Sequence, residues 1–109
     1  MTVPEQNKTR RQKLEAFLAT NPNDAFTRYG VALECVKEGD LASAESHFRF
    51  LLESNPHYVA GYQMYAQTLV QHHRSEEAKT ILVQGIQVAA RQGNQHARSE
   101  MEALLADLG

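Results

Sequence analysis

The sequence contains little cysteine, proline and glycine. Its 109 residues include one cysteine, three prolines, six glycines and no tryptophan. A single cysteine excludes an intrachain disulfide and any multi-cysteine zinc or iron–sulfur site, and it favours a reducing compartment such as the cytoplasm. No apolar run approaches the roughly 18 residues that a membrane helix requires. The polar N-terminus also lacks a signal-peptide hydrophobic region, so we expect no membrane partner.

Charge is low and unevenly distributed along the chain. The net charge is −2 at pH 7, which argues against a general polyanion-binding protein. The first thirteen residues carry four basic side chains and one acidic one, a balance of +3, so the remainder carries −5. This basic start could contact an acidic partner, and nucleic-acid binding through it is an alternative that the acidic remainder opposes. The residues concerned are Lys8, Arg10, Arg11, Lys13 and Glu5.

Helix-forming residues are abundant. Alanine, leucine, glutamate, glutamine and arginine dominate long stretches, and β-branched residues do not cluster with the period of two that marks a strand. Hydrophobic residues make up 42% of the chain, which is enough for a buried core. A chain of 109 residues has room for one domain of ordinary size. We therefore predict a single all-α domain over residues 1–109.

Five breaks divide the chain into six predicted helices. They fall at Asn21–Asp24, Gly39–Asp40, Asn55–Pro56, His73–Ser75 and Gly93–Asn94. Several of the intervening stretches carry apolar residues on more than one side at helical spacing. Each such helix must lie between neighbours, which predicts stacked antiparallel helical hairpins.

The residues at these breaks have the chemistry of helix ends. Gly39 suits the left-handed conformation that closes a helix, and Asp40 can cap the helix that follows. Glu76 and Glu77 would place favourable negative charge in the first turn of the fifth helix. Three further N-terminal caps are predicted by the same reasoning: Asn21 before Pro22, Asn55 before Pro56, and Ser75.

The breaks and small residues recur with a fixed period. The pair Asn21-Pro22 recurs as Asn55-Pro56. This spacing is the 34-residue period of paired helices that marks the tetratricopeptide repeat, and the chain resembles that family. The same period relates Ala32 to Ala66, Val36 to Val70, Ala44 to Ala78, and Phe48 to Leu82.

The resemblance implies a superhelix of stacked hairpins with four parts. These are an N-terminal helix or partial repeat (1–21), a first repeat (22–56), a second repeat (57–92) and a C-terminal capping helix (93–109). The four paired alanines are implied to lie where helices cross closely, because larger side chains there would overpack. Three positions depart from the family pattern: Arg28 stands at the usual aromatic, His73 at the usual turn glycine, and Ala90 at the usual closing proline.

In this family the first helix of each repeat lines a concave face that accepts a peptide or helix of another protein. The resemblance therefore implies a non-catalytic protein–protein interaction module, an adaptor or scaffold. Aromatic anchors and an adaptable methionine suit such docking, and glutamine amides can bond an extended backbone. Transferred residue by residue, the groove comprises Phe26, Tyr29, Gly30, Leu33, Val36 and Lys37 in the first repeat, and Ala60, Gln63, Met64, Gln67, Val70 and Gln71 in the second.

Alternatives to this groove stay open. The groove residues could be covered by the first helix, around Arg11–Leu18, or by the last helix. Phe50 is predicted on the outward side of the third helix, where it either packs on the first helix or marks a homodimer contact. The alternative function is then a self-associating assembly element. Capture of an acidic C-terminal tail is not expected, because Lys37 is the one basic residue at the groove positions.

No constellation for catalysis or cofactor binding occurs in the sequence. The five histidines form no H-E-x-x-H pair, and the adjacent His72 and His73 would point about 100° apart on a helix. Cys35 stands among apolar residues and is interpreted as a small buried hydrophobe. There is no glycine-rich phosphate loop and no G-x-S-x-G motif. We expect no enzymatic activity, no cofactor, no metal and no small-molecule substrate.

Overall fold

A computed structural model of the protein describes residues 7–109. Between these residues the chain forms helices and no strand, which confirms the predicted all-α fold. Residues 1–6, which begin the predicted N-terminal segment and include Glu5 of its basic start, lie outside the described residues. The helices are α1 (Arg10–Thr20), α2 (Ala25–Lys37), α3 (Leu41–Ser54), α4 (Val59–Gln71), α5 (Ser75–Gln92) and α6 (Gln95–Asp107).

Three helices close with the same backbone motif, in which a residue past the helix end is left-handed. Gly39 closes α2 with φ 78°, as predicted, and Gly93 closes α5 with φ 69°. His73 closes α4 in the same conformation, with φ 61°, although it carries a side chain. At each closure the amide of the following residue donates to the carbonyl five residues earlier, at 2.9 Å. The turn at His73 therefore keeps the geometry of the family's glycine turn without the glycine.

Helix starts follow the predicted breaks but not every predicted cap. Asp40 caps α3 as predicted, since its carboxylate accepts from the Ser43 amide at 3.2 Å. The cap of α2 is Asp24, which accepts from the Thr27 amide at 3.1 Å. The prediction of Asn21 was wrong, because Asn21 is taken up in the end of α1, where its amide donates to two carbonyls of that helix.

The caps predicted for α4 and α5 were also wrong. Tyr58 and Arg74 precede these helices, and neither makes a side-chain capping bond. A turn from Asn55 to Tyr58, with a 3.0 Å backbone bond, lies between Asn55 and the start of α4. Ser75 is the first residue of α5. Arg74, whose amide completes the closing turn of α4, takes the capping position before it.

The helices form two compact units, divided between Ser54 and Asn55. In the first unit α2 packs against both α1 and α3. Its fully buried alanines, Ala32 and Ala44, are two of the four small residues that the repeat singled out. The other buried apolar side chains of this unit are Leu18, Val31, Cys35, Phe48 and Leu51.

An arginine fixes the N-terminal helix to the rest of the first unit. The guanidinium of Arg11 in α1 binds Glu38 at 2.8 Å and Asp40 at 3.0 Å, both in the turn between α2 and α3. These carboxylates raise the pKa of Arg11. Bonds from Ser43, and then from Arg11, lower the pKa of Asp40. The contact uses one of the arginines of the basic N-terminal stretch within the chain itself.

In the second unit α5 packs against both α4 and α6. Gly85 allows this close approach, because a Cβ there would lie 2.7 Å from both Tyr62 Cβ of α4 and Met101 Sδ of α6. Ala66 and Ala78, the remaining repeat alanines, are fully buried. The other buried apolar residues of this unit are Val59, Tyr62, Tyr65, Leu69, Leu82, Val88, Ala89, Ala97 and Met101.

Candidate interaction groove

The predicted groove residues of α2 are partly covered by the first helix. A Cβ at Gly30 would lie 3.4 Å from Leu14 Cδ1 of α1, so this point of α2 is in contact with α1. One turn further along α2, Glu34 binds Arg10 of α1 at 2.9 Å. The side of α2 that carries Gly30 and Glu34 is therefore occupied from within the first unit.

The remaining predicted residues of α2 are accessible to different degrees. Phe26 is 77% exposed on the first turn of α2. Lys37 is exposed at the other end of the helix. Tyr29, Leu33 and Val36 are half-buried between them. Helix α2 therefore keeps one exposed aromatic ring, one exposed lysine and three half-buried side chains at the predicted positions.

Four predicted residues of α4 come together in one cavity. The cavity measures about 320 Å³ and lies between α4 and α6 in the second unit. Of the other two predicted residues, Met64 is half-buried and lies outside the lining, and Ala60 is exposed. The lining consists of Gln63, Gln67, Val70 and Gln71 from α4 and Glu100, Met101 and Leu104 from α6. We call this cavity and its lining the α4–α6 groove.

One wall of the α4–α6 groove is a row of amides. Gln63, Gln67 and Gln71 follow one another at four-residue spacing, so they lie on one side of α4 over about 12 Å. Each glutamine side chain offers two hydrogen-bond donors and an acceptor. Such a row matches the alternating amides and carbonyls of an extended backbone.

The opposite wall is apolar at its base and acidic at its rim. Met101 is fully buried, and Leu104 is half-buried one turn further along α6. Glu100 is the charged residue of the lining. Its carboxylate is 2.6 Å from His96 Nε2, an exposed pair on the same helix. The groove therefore combines amide hydrogen-bonding capacity, an apolar base and one negative charge.

Sequence reasoning missed the contribution of α6. Met101 and Leu104 belong to the apolar stripe that predicted a capping helix, so the signal was present in the sequence. The stripe shows which residues of α6 face a neighbour, but not that they share a cavity with glutamines of α4. Glu100 carried no sequence signal, because an acidic residue on a terminal helix is usually a solvated one.

Phe50 lies against the second helix and not against the first. Its ring is 42% exposed, and the Arg28 guanidinium of α2 stacks over it with Cζ 3.8 Å from the ring centroid. Of the two alternatives left open for Phe50, the structure shows a cation from α2 over the ring where a contact with the first helix was expected, and the homodimer contact stays a prediction. Both residues line a cavity of about 490 Å³ between α2 and α3.

Arg28 makes the contact of the aromatic residue that it replaces. Its Nη2 donates to the carbonyl of Pro22 at 2.9 Å. At the equivalent position of the second repeat, the hydroxyl of Tyr62 donates to the carbonyl of Pro56 at 3.0 Å. The departure from the family pattern at Arg28 thus preserves a bond from the first helix of the repeat to the turn before it.

A half-buried histidine and a buried cysteine in the first unit have shifted pKa values. Arg28 Nη1 is 3.1 Å from Nδ1 of His47 on α3. Burial, and then the adjacent guanidinium, lower the pKa of His47. Burial raises the pKa of the Cys35 thiol, which fits its interpretation as a buried apolar residue. Within residues 7–109, no three His, Cys, Asp or Glu side chains are grouped closely enough to hold a metal ion.

A third cavity lies between α5 and α6 and measures about 460 Å³. Val83, on its rim, is 46% exposed. The lining of this cavity, which we call the α5–α6 groove, comprises Val83, Ile86, Gln87, Glu102, Leu105 and Ala106.

Among residues 7–109, none of the helices combines the length and the apolar character that a membrane span requires.

Comparisons with known proteins agree with this helical architecture. A sequence model of the tetratricopeptide repeat matches residues 36–108. A TPR repeat-containing protein of Pseudomonas aeruginosa is 28% identical over 95 residues, which are 87% of this chain and 90% of that protein.

Solved structures also match this helical architecture. The solution structure of a tetratricopeptide repeat domain protein from Salinibacter ruber is 32% identical, with a TM-score of 0.76 over 80% of this chain and 88% of that one. A crystal structure of the Salinibacter ruber domain has a TM-score of 0.72. A Bordetella parapertussis protein has a TM-score of 0.80 over 93% of this chain and 88% of its own, but at 22% identity it shows similarity of fold alone.

Proposed function

Because the chain belongs to the tetratricopeptide-repeat family, we propose that it is a non-catalytic protein–protein interaction module that docks a partner segment in the α4–α6 groove. Domains of this fold generally mediate protein–protein contacts and are typically not enzymes. The observation that carries the proposal is the groove itself, which joins four residues implied by the resemblance with three from α6. We further propose a cytoplasmic location, which the free, buried thiol of Cys35 supports.

The partner segment is extended, not helical, at the row of amides. An extended chain leaves its backbone amides and carbonyls unpaired, and Gln63, Gln67 and Gln71 can bond both. A helix satisfies these groups internally, so it would leave the glutamine amides without backbone partners. Binding would then depend on a few hydrogen bonds and on one apolar side chain that contacts Met101 and Leu104.

The charge of the lining selects the partner further. Glu100 is negative, and the α4 wall carries no charged residue in the lining. A lysine or arginine near the apolar anchor would therefore pair with Glu100, whereas an acidic segment would be repelled. This preference is the opposite of a carboxylate-binding groove, which requires several basic residues.

The proposal is tested with short peptides selected from a random displayed library against the immobilised protein. Binding of the selected peptides to ¹⁵N-labelled protein is followed by NMR, in which glutamine side-chain amides give signals of their own. We expect the amides of Gln63, Gln67 and Gln71 to shift, and the selected peptides to be enriched in basic residues. Gln67→Ala should weaken binding about fivefold, since one net hydrogen bond contributes about 1 kcal/mol.

The matched control is Gln84→Ala, because Gln84 is an exposed glutamine on α5 and lies outside the lining. Equal affinity of Gln67→Ala and the wild type would overturn the groove as the docking site. So would peptide-induced shifts that fall entirely on the first unit. Failure to select any peptide would count against an extended-segment partner.

The exposed residues of α2 are proposed as a separate contact for a partner. Phe26 provides the accessible aromatic ring, and Tyr29, Leu33, Val36 and Lys37 extend from it along the helix. Leu33→Glu places a charge in the middle of this row. A partner retained by the wild type and lost by Leu33→Glu, with an unchanged circular dichroism spectrum, would support this contact. A partner that the two proteins retain equally would exclude it.

A further inference from the structure

Helix α1 has the residue pattern of the second helix of a repeat. Shifted by one repeat period and then by two, its apolar positions match positions of α3 and α5, which are the second helices of their hairpins. The first unit covers only part of this helix, since its contact partner there is α2. The three sets of equivalent positions are Leu14, Phe48 and Leu82; Phe17, Leu51 and Gly85; and Leu18, Leu52 and Ile86.

Phe17 lies on the side of α1 that a complete repeat would cover. It is 52% exposed, whereas its equivalents Leu51 and Gly85 are buried. Gly85 shows what this position contacts, because it abuts Tyr62 on the first helix of its own hairpin. Phe17 therefore presents an aromatic ring where the first helix of a hairpin would pack.

Helix α6 presents the complementary surface at the other end of the chain. It begins after Asn94 as α4 begins after Tyr58, so the two helices can be aligned from their starts. This alignment makes Leu105 the equivalent of Leu69, a fully buried residue two turns beyond Tyr62 on the side of α4 that packs against α5. Leu105 is only half-buried and lines the α5–α6 groove. The groove is therefore open where the second helix of a hairpin would lie.

The two surfaces match in charge when α1 is placed against α6 as α5 lies against α4. In that antiparallel arrangement Tyr62 is opposite Gly85. The equivalent positions place Arg98 of α6 opposite Phe17 of α1. One turn along each helix, Glu102 is opposite Lys13. Arg98 can stack on the Phe17 ring. The exposed Lys13 can form an ion pair with Glu102, whose partner within its own chain is Arg98 Nε at 3.5 Å.

We propose that copies of this chain associate head to tail, with α1 of one copy seated in the α5–α6 groove of the next. The contact is heterologous, since it joins two different surfaces, and an open assembly keeps one free α1 surface at one end and one free α5–α6 groove at the other. It therefore produces chains or rings and not an isologous dimer. It does not use the α4–α6 groove, so self-association and partner binding are separate properties.

The test uses one variant blocked at each surface. Phe17→Asp places a charge on α1, and Val83→Asp places one on the rim of the α5–α6 groove; both positions are about half exposed, so both variants should fold. Sedimentation equilibrium over a concentration series measures the mass of each protein and of their equimolar mixture. We expect the wild type to grow in mass with concentration and each variant alone to stay monomeric. The mixture should form a heterodimer and nothing larger, because one intact surface of each kind remains.

Further variants separate this contact from an isologous one. Lys13→Glu should weaken self-association about threefold, and adding Glu102→Lys to the same chain should restore it. Phe50→Asp is the matched control, because Phe50 is another exposed phenylalanine, and it should leave the mass unchanged. A wild type that stays monomeric at all concentrations, a mixture that stays monomeric, or self-association lost on Phe50→Asp would overturn the proposal.

Discussion

The left-handed histidine that closes α4 predicts a stabilising substitution, His73→Gly. Its φ of 61° lies where a residue with a Cβ is strained by about 1–2 kcal/mol. Glycine removes that strain but loses about 0.5–1 kcal/mol through the greater freedom of the unfolded chain. The backbone already has the required geometry, with the amide of His73 donating to Val70 at 3.0 Å. We therefore expect a net gain of about 0.5–1 kcal/mol in the free energy of unfolding.

Urea unfolding followed by circular dichroism measures this gain, and thermal unfolding should show a rise of about 2–5 °C. Gly39→Ala is the matched reverse substitution, because Gly39 closes α2 with φ 78° and has no atom within 4 Å of an added Cβ. It should destabilise by about 1 kcal/mol through backbone strain alone. His73→Ala should lie close to the wild type, since it keeps the Cβ. An unchanged or lower stability of His73→Gly would refute the reasoning from backbone strain.

Three further substitutions test packing, pH dependence and groove charge. Gly85→Ala should destabilise the protein by about 1–3 kcal/mol, because its Cβ would lie 2.7 Å from Tyr62 Cβ. Gly30→Ala is the control and should be tolerated, because its Cβ would lie 3.4 Å from the nearest atom. Equal urea midpoints for the two variants would contradict the close approach at Gly85. The lowered pKa of His47 means that the unfolded state binds the proton more readily, so stability should fall as the pH drops below about 6.5. His47→Gln should flatten that part of the profile between pH 7.5 and 5.5, and an equally steep profile would assign it to other groups. Glu100→Lys should reverse the preference of the α4–α6 groove from basic to acidic peptides, measured by fluorescence anisotropy; an unchanged preference would remove Glu100 from the site.

The sequence predicted the repeat because its signals are local. The left-handed conformation at Gly39 is required by the turn itself, whatever lies around it, and glycine is the residue that adopts it with the least strain. Ala44 and Ala78 stand one repeat period apart because helices that cross closely leave no room for more than a methyl group, and both are fully buried. The wrong caps have a local cause as well. Asn21 and Asp24 both have capping side chains, and a composition rule does not say how many residues the intervening turn uses.

The candidate site could be predicted only in part, since a site depends on which helices meet. The resemblance named the glutamines of α4, and the structure added Met101 and Leu104 as the facing wall. Gly30 followed the same family pattern, but α1 lies against it. The position of a residue on a helix is a property of the sequence. Whether a neighbouring helix covers that position depends on contacts between segments far apart in the chain.

The sequence alone determined that this protein is a helical repeat, because the 34-residue period and the helix-closing glycines follow from short-range geometry. The tertiary structure alone decided which surfaces are open. It stacked Arg28 on Phe50, joined α6 to α4 in an acidic, amide-rich groove, and left Phe17 and the α5–α6 groove exposed. The physical reason is that exposure is set by the neighbours of a side chain, and those neighbours are brought together only by the packing of whole helices.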